Sequence, residues 1–447
     1  MQTGDGAIVR GGVRPVKRDV ASAPGRMLYW RGGGAAHHSR RPNMHPTPSP
    51  TARRWRAVTL TALVAYGPIS TDLYLPSLPA MQQAFATDSA AVQLTLTAFA
   101  WGFAVAQLVY GPLSDRFGRR PVLLWGLGIY LVASLGCLMA TTVEGLVLGR
   151  FLQALGACAG PVLGRAVVRD LYGPVDSGRM LAYMGTAMAL IPAAAPSLGG
   201  VLEVAFGWRA NFVALAVFGA LVLGLTWFAL PESHFDRDAG ATHPARVLRN
   251  FSSLLRHRGF LASTLAVSAS FAGLFAFISG SPFVLIEVLG LPPERFGLGF
   301  LAAVVGFMGG SFLSGRLLSR YGSARLVTAG CALCLAGGLA MALPALLGVA
   351  SLLSVLGPCW LYFSGAGLAI PVGFAAALAP FPRMAGAASS LLGFLQMGLG
   401  GVAGMLVGHF HDGTPWPMAL VMAVGGGLAL LACLAWRDPV KTAGVSR

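Results

Sequence analysis

The segment that best indicates the fold reads Gly111-Pro-Leu-Ser-Asp115-Arg116-Phe-Gly118-Arg119-Arg120-Pro121 and joins two long apolar runs. Its glycines permit a tight reversal, because glycine reaches backbone angles that other residues avoid. Its arginines hold a short loop at the cytoplasmic surface of a membrane. The carboxylate of Asp115 can pair with these arginines or face a helix N-terminus, where partial positive charge attracts an anion. The segment therefore predicts a cytoplasmic turn between two transmembrane helices.

The rest of the chain has the composition of a membrane protein. Its 447 residues are 55% hydrophobic and 11% charged, with a mean hydropathy of +0.68. A soluble domain carries about 25% charged residues. Apolar runs of about 20 residues are long enough to cross a hydrocarbon core of about 30 Å as helices. This composition excludes a water-soluble fold and predicts an all-α membrane protein.

We predict about twelve transmembrane helices, six in each of two halves. The spans cover roughly residues 57–79, 91–111, 121–141, 145–168, 179–204, 210–230, 260–288, 297–318, 324–347, 350–379, 385–408 and 416–436. The predicted regions are a basic disordered tail over 1–52, a first half over 53–230, a cytoplasmic loop over 231–259, a second half over 260–436 and a cytoplasmic tail over 437–447. Met27 and Met44 are alternative starts that would shorten the first tail.

Arginines mark one side of the predicted spans. With the N-terminus inside, the inner loops contain fourteen, namely Arg116, Arg119, Arg120, Arg169, Arg179, Arg237, Arg246, Arg249, Arg256, Arg258, Arg316, Arg320, Arg325 and Arg383. The outer loops contain two, Arg209 and Arg295. This bias predicts that both termini are cytoplasmic. The net charge of +16 lies mostly in the tail and inner loops, without a basic face interleaved with aromatics, so we expect no nucleic-acid partner.

The loop segment has a weaker echo in the second half. The second segment reads Gly315-Arg-Leu-Leu-Ser319-Arg320-Tyr-Gly322 and begins 204 residues after Gly111. Two six-helix halves in parallel repeat, with a site between them near the middle of the membrane, are a recurring architecture of secondary transporters. The repeat thus predicts a central cavity between the halves.

Several motifs resemble one transporter family. The loop segment is similar to the signature G-x-L-x-D-R-x-G-R-R of the major facilitator superfamily. Four stretches resemble the Bcr/CflA type of drug:proton antiporter: STDLYLPSLP at 70–79, the fourth span from RFLQALG at 150–156 through RAVVRD at 165–170, SGSPFV at 279–284 and HDGTPWPM at 411–418. Pro192, Pro196, Gly199 and Gly200 resemble the antiporter motif of this superfamily.

The resemblance covers residues from about 57 to 436 and implies a function. It implies that the chain exchanges protons for drugs, such as bicyclomycin, chloramphenicol-like or sulfonamide compounds. We accordingly expect a multi-pass monomer in the lipid bilayer of the bacterial inner membrane. A proton-coupled exporter or importer of a small metabolite remains the alternative, because a fold does not determine its substrate.

Asp72 is the acid that lies deepest in a predicted span, about 15 residues or 22 Å from the start of the first one. Ionisable groups at membrane depth usually mark a function, and desolvation favours the protonated carboxyl. We predict that Asp72 carries the exchanged proton. The alternatives are a carboxylate held ionised by an arginine and a residue at a helix end.

Two arginines lie on the fourth predicted span. Arg150, followed by Gln153, matches the R-F-L-Q-G-type motif that the family uses in proton coupling, and we expect it to tune Asp72. Arg165 is closer to the inner surface, where we expect it to anchor or organise a loop.

The energy source is predicted by exclusion. Lys17 and Lys441 lie in the tails without the glycine frame of a nucleotide-binding loop, and no hydrolase motif occurs. The cysteines lie in apolar runs, and no histidine cluster completes a metal site with them. We expect no enzymatic activity, no metal and no cofactor, with a proton gradient as the energy source.

The substrate cavity is the least specific prediction. Drug-sized, mostly apolar compounds are expected to bind between the halves against aromatic and amide side chains. The candidate lining residues are Tyr66, Gln107, Gln153, Phe271, Phe275 and Gln396.

Overall fold

The computed structural model describes residues 49–172, 174–235 and 237–435, and the regular structure in these ranges is entirely helical. The helices are α1 Pro50–Val64, α2 Tyr66–Asp72, α3 Leu78–Ala84, α4 Ser89–Phe117, α5 Arg119–Leu138, α6 Val143–Ala157, α7 Ala159–Leu171, α8 Pro174–Phe206, α9 Arg209–Ala229, α10 Pro244–Leu255, α11 Arg258–Pro282, α12 Phe296–Tyr321, α13 Ser323–Leu346, α14 Leu352–Leu378, α15 Ala385–His409 and α16 Trp416–Leu434. The predicted tails over 1–52 and 437–447 lie outside these ranges, apart from residues 49–52. Residues 50–52 begin α1, and its N-cap Ser49 accepts a hydrogen bond from the backbone N–H of Ala52.

The described residues contain eleven helical segments that are long and apolar enough to cross a membrane by length and composition. They correspond to the second to twelfth predicted spans within a few residues at each end. The fourth of the predicted spans consists of α6 and α7, which meet at Cys158. The prediction of an all-α multi-pass membrane fold is confirmed.

The first predicted span, over 57–79, is not one continuous helix. It contains α1, α2, a 3₁₀ turn over Leu75–Ser77 and the start of α3. Pro76 and Pro79 contribute to the break, because proline has no backbone N–H to donate and its ring crowds the preceding turn. Asp72 therefore lies at the end of a short helix, next to irregular backbone.

The two halves contact each other at small residues. A Cβ added to Gly297 of α12 would collide with Ser197 of α8, and one added to Gly393 of α15 would collide with the Gln107 amide of α4. Small residues of this kind let membrane helices approach closely. One apolar core also draws its buried residues from both halves. These contacts bring α4 against α15 and α8 against α12.

The two loop segments offset by 204 residues share a backbone turn. Gly118, between α4 and α5, has φ +100°, and Gly322, between α12 and α13, has φ +76°. Side chains strongly disfavour these angles, so glycine is the residue suited to both turns. The common turn agrees with the predicted internal repeat.

The predicted inter-half loop contains a helix that the sequence analysis did not predict. Helix α10 begins at Pro244, whose fixed φ suits a first helical turn. Its Leu254 is fully buried and belongs to an apolar cluster with Phe260 and Leu391 of the second half. The end of this loop is therefore packed onto α11 and α15.

Candidate transport site

Asp72 is a buried carboxyl at the end of α2. Its side chain is 3% exposed, and its Oδ1 accepts a hydrogen bond of 2.9 Å from Thr71 Oγ1. Within the described residues, no arginine, lysine or histidine forms an ion pair with it. The ion-paired carboxylate considered from the sequence is therefore not what the fold contains. Burial without a cation disfavours the ionised form.

Arg150 is fully buried on α6, and its side chain contacts the backbone of α2. Its Nη2 donates a 2.8 Å hydrogen bond to the carbonyl of Ser70, and its Nη1 donates to Gln153 Oε1. The guanidinium carbon lies 4.2 Å from the ring centroid of Tyr74 and 4.4 Å from that of Phe99. Aromatic faces stabilise a desolvated cation. Arg150 thus contacts the helix that carries Asp72 but does not pair with the Asp72 carboxylate.

A chain of hydroxyl groups extends from this arginine. Gln153 Nε2 donates to Ser134 Oγ at 2.7 Å, and the hydroxyls of Ser70 and Tyr130 lie 2.8 Å apart. Tyr66 stacks edge-on against Tyr130, with ring centroids 4.5 Å apart. Tyr66 and Gln153, both predicted to line the substrate cavity, instead belong to this buried network of the first half. Sequence reasoning missed Ser134 and Tyr130, whose only signal was their spacing of one helical turn.

The Gly199-Gly200 pair connects α8 to two different parts of the fold. A Cβ at Gly199 would overlap the carbonyl of Leu73, the residue after Asp72. A Cβ at Gly200 would overlap the carbonyl of Pro293, just before α12 in the second half. Helix α8 continues through Pro192 and Pro196 without a break. The pair therefore allows α8 to touch the backbone beside Asp72 on one side and the second half on the other.

The other candidate cavity residues surround α15. Gln107 of α4 packs directly on Gly393, and Phe271 and Phe275 of α11 stack with centroids 6.0 Å apart next to Gly400. Gln107 and Phe271 are partly exposed, whereas Phe275 is buried. Partly exposed Gln396 lies on α15 itself. Gln107 and the two phenylalanines thus pack against α15 from α4 and α11, apart from the network that contains Arg150.

Arg119 is the centre of the cytoplasmic loop motif. It forms ion pairs with Asp115 at 2.6 Å and with Asp170 at 3.2 Å, and it donates to Ser114 Oγ at 2.5 Å. Arg116 donates instead to Thr242 Oγ1 at 2.7 Å. The predicted pairing of Asp115 with a loop arginine is the arrangement that the fold contains.

Glu232 provides the carboxylate at the N-terminus of α5. Its side-chain oxygens accept hydrogen bonds from the backbone N–H groups of Arg119 at 3.0 Å and Arg120 at 3.2 Å. A Cβ on Gly118 would lie 2.5 Å from Glu232 Oε2, so this glycine also makes room for the cap. Arg120 itself donates to the carbonyl of Trp227 at 2.8 Å. Sequence reasoning missed Glu232 because the residue lies over a hundred positions after the loop.

The inter-half loop is attached to the same region. The backbone N–H of Asp238 donates to the carbonyl of Asp115 at 3.0 Å. A hydrogen bond from Arg246 and one from the Gly240 backbone hold the pKa of the Asp238 carboxyl below its usual range. The loop motif is thus tied to α7, to the end of α9 and to the inter-half loop.

Three curated proteins are similar to this chain over most of their length. The bicyclomycin resistance protein homolog of Haemophilus influenzae is 31% identical over 84% of the chain and 94% of that protein. The multidrug resistance protein D of Escherichia coli is 31% identical over 84% of the chain and 93% of that protein. The chloramphenicol resistance protein of Pseudomonas aeruginosa is 31% identical over 79% of the chain and 83% of that protein.

Solved structures share the fold at lower identity. A bacterial homolog of the human lysosomal transporter Spinster, inward-facing and occupied, superposes with a TM-score of 0.68 at 16% identity, covering 87% of the chain and 96% of that structure. The xylose transporter of E. coli, partially occluded and inward open, has a TM-score of 0.66 at 15% identity, covering 89% of the chain and 100% of that structure. The family model of the Major Facilitator Superfamily matches residues 59–405. The chain therefore belongs to the Major Facilitator Superfamily and, within it, to the Bcr/CflA-type transporters.

Proposed function

We propose that this transporter exports drug-like small molecules from the cytoplasm in exchange for protons. Three relatives at 31% identity are named for resistance to bicyclomycin, to multiple drugs or to chloramphenicol. The family consists of transporters rather than enzymes. A proton gradient would supply the energy, without a cofactor, and the protein would work as a monomer in the bacterial inner membrane with both termini in the cytoplasm.

The buried Asp72 carboxyl is the observation that carries the proton-exchange proposal. It combines near-complete burial with the lack of an ion-pair partner among the described residues. A carboxyl in such surroundings binds a proton readily when dry and releases it when water or a cation reaches it. Its protonation state would therefore follow the side of the membrane to which the site is open.

The contacts of α8 suggest how the proton affinity of Asp72 depends on the conformation of the transporter. Gly199 lies against the Leu73 carbonyl, and Gly200 lies against Pro293 of the second half. A rocking motion between the halves would move α8 relative to one of these contacts, because rigid helices transmit displacement along their length. Such a motion would change the surroundings of Asp72 and hence its proton affinity in each state.

Arg150 would act on Asp72 through the backbone. Its bond to the Ser70 carbonyl fixes α2 two residues before the carboxyl. We propose that Arg150 positions Asp72 and contributes a positive potential, without forming a direct ion pair in this conformation. Gln153 accepts a hydrogen bond from that arginine, and Tyr66 packs on Tyr130, whose hydroxyl bonds that of Ser70.

The substrate would bind between the halves, near the junction of α4, α11 and α15. Gln107 and Gln396 offer amide groups there, and Phe271 offers an aromatic face beside Phe275. A site with few polar anchors in an apolar wall suits drug-sized compounds. Asp115 lies about two helical turns beyond Gln107 on α4, and we propose that Asp115, Arg116 and Arg119 act as a latch on the inner side.

Transport by reconstituted protein tests this proposal directly. Inside-out proteoliposomes are loaded at acidic internal pH, and uptake of radiolabelled chloramphenicol is followed with and without a proton uncoupler. We expect accumulation that the uncoupler abolishes. If neither chloramphenicol nor bicyclomycin accumulates, while a screen of small metabolites finds proton-dependent transport, then the drug-export proposal is wrong and the metabolite alternative holds.

A further inference from the structure

Glu203 is a second carboxylate that contacts the broken first span, at the end of α8 that the predicted topology places outside. Its Oε2 accepts a 2.5 Å hydrogen bond from the hydroxyl of Ser77. Ser77 is fully buried and belongs to the 3₁₀ turn that follows Asp72, whereas Glu203 is partly exposed. Glu203 therefore connects a group that water can reach to the backbone beside the buried Asp72.

Helix α8 touches the stretch after Asp72 at two points that are four residues apart in both segments. Gly199 lies against the Leu73 carbonyl, and Glu203 bonds Ser77. Four residues are about one helical turn, so both contacts lie on the same side of α8. The first contact depends on shape, because a Cβ at Gly199 would overlap the carbonyl. The second contact depends on a carboxylate and is therefore the one that a proton can change.

A neighbouring amide determines the direction of the hydrogen bond between Ser77 and Glu203. Asn211 is fully buried on the first turn of α9, and its Nδ2 lies 2.8 Å from Ser77 Oγ and 3.4 Å from the Gly199 carbonyl. The carbonyl can only accept, so the amide nitrogen faces both atoms and donates to Ser77 Oγ. The hydroxyl has one proton, which it donates to Glu203. A carboxylate is the stronger acceptor for that proton.

Glu203 has no cation as a partner among the residues that the structure describes. The other acidic and basic side chains of the segments packed at this end are Asp72, Arg209, Glu294 and Arg295, and none forms an ion pair with it. Arg209 contacts a backbone carbonyl and a tryptophan ring instead. A proton on Glu203 would therefore replace a charge-assisted hydrogen bond by a neutral one, which is about half as strong.

We propose that Glu203 is a positioning residue through which protons outside the cell loosen the backbone around Asp72. Ionised Glu203 holds Ser77 against α8 and keeps the stretch from Leu73 to Ser77 closed. Protonated Glu203 holds Ser77 more weakly, so this stretch separates from α8 more often and admits water to Asp72. The inference rests on the export function proposed above and adds to it a residue that responds to the outside pH.

Hydrogen–deuterium exchange of the peptide over residues 70–80 measures this loosening. Full-length protein in detergent micelles is labelled between about pH 4 and about pH 8, which brackets the titration of a glutamate, and the rates are corrected for the intrinsic pH dependence of exchange. The variants are Glu203→Gln, which cannot ionise, and Ser77→Ala, which lacks the donor. Glu287→Gln is the matched control, because it neutralises an exposed glutamate on the π-helical turn after α11. Thermal unfolding verifies that each variant is folded.

The expected result is a pH dependence that requires Glu203. The wild-type peptide should exchange about 5-fold faster at the acidic end of the range than at the alkaline end, because the hydrogen bond to Ser77 loses its charge. Glu203→Gln and Ser77→Ala should exchange rapidly at every pH, whereas Glu287→Gln should follow the wild type. Asp72→Asn should also keep the pH dependence, because the proton responsible for it is bound by Glu203.

Three results would overturn the assignment. They are exchange that is independent of pH in the wild type, a pH dependence that persists in Glu203→Gln or Ser77→Ala, and a pH dependence that is lost in Glu287→Gln or Asp72→Asn. Failure of the export proposal is recognised separately, because it appears as a lack of proton-dependent chloramphenicol transport by the wild-type protein. Exchange reports on the backbone whether or not the drug is transported.

Discussion

Arg150 donates a 2.8 Å hydrogen bond to the carbonyl of Ser70, two residues before Asp72, and so joins the fourth span to the broken first one. The sequence analysis expected the arginine to act on the Asp72 carboxylate itself. Through the backbone contact, Arg150 instead holds the short helix α2 in position. That helix ends at Asp72, so a movement of the helix would also move the carboxyl.

Replacing Arg150 should uncouple proton exchange while leaving a folded protein. In Arg150→Lys, the ammonium cannot reach the Ser70 carbonyl and Gln153 together in the planar fork that arginine uses. We expect a stability loss of about 1–3 kcal/mol, because buried acceptors lose a charged donor. Drug-driven proton release should fall more than drug affinity. The control is Arg209→Lys, which changes an arginine far from Asp72 in sequence. Arg209 also donates to a backbone carbonyl, that of Ala140, and its guanidinium carbon lies 4.2 Å from the ring centroid of Trp208.

A methyl group at Gly199 should damage the contact between α8 and the backbone beside Asp72. Gly199→Ala forces apart α8 and the Leu73 carbonyl, whereas Gly185→Ala on the same helix adds a methyl group in open space. We expect a lower unfolding temperature and slow transport for Gly199→Ala, with overpacking that costs about 1–3 kcal/mol. Gly185→Ala should behave as the wild type. Equal unfolding temperatures and transport rates for the two variants would contradict the role given to this contact.

Glu232 and Gly118 should act together as the cap of α5. Gly118→Ala suffers both the positive φ and a collision with the Glu232 carboxylate, whereas Gly322→Ala suffers the positive φ alone. We expect Gly322→Ala to cost about 1–2 kcal/mol and Gly118→Ala to cost more. In a Glu232→Ala background, the excess cost of Gly118→Ala should disappear. Thermal unfolding of the wild type, the three single variants and the double variant measures this, and an excess that persists without Glu232 would contradict the assignment.

Asp115→Ala should slow transport and leave drug affinity nearly unchanged. The Asp115 side chain is 44% exposed, so its 2.6 Å ion pair with Arg119 contributes less than about 1 kcal/mol to stability. We propose that this ion pair holds the inner ends of the helices in one of the two transport states. Asp412→Ala is the control, because it removes an exposed carboxylate, which accepts hydrogen bonds from Thr414, outside the motif. Drug affinity that falls in proportion to the transport rate would refute the latch.

The sequence was enough to predict the helical membrane fold, because each pattern that indicates it is local. The glycines and arginines at 111–120 indicate a turn at the membrane surface whatever lies elsewhere in the chain, and the apolar runs indicate helices by their length alone. The break after Asp72 was less visible, because Pro76 and Pro79 are compatible with a continuous membrane helix that is merely kinked. The sequence offered no means to choose between these outcomes.

The parts of the site that the sequence missed depend on contacts between distant residues. The cap at α5 joins Arg119 to Glu232, and the hydroxyl network joins Ser70 to Tyr130, sixty positions later. Serine and tyrosine in an apolar run have the same pattern whether they bond within their own helix or across to another. Arg150 was identified from its motif, but its acceptor is a backbone carbonyl, which no side-chain pattern reveals.

The central claim is that Asp72 carries the exchanged proton, and proton release on drug binding tests it most directly. Purified wild-type protein in weakly buffered detergent solution, with a pH-sensitive dye, should release protons when chloramphenicol is added, because linked equilibria require the drug to displace the proton with which it competes. Asp72→Asn protein, whose amide cannot ionise, should bind the drug and release none. If Asp72→Asn released as many protons per bound chloramphenicol as the wild type, the proton would be carried elsewhere and this account of the mechanism would be wrong.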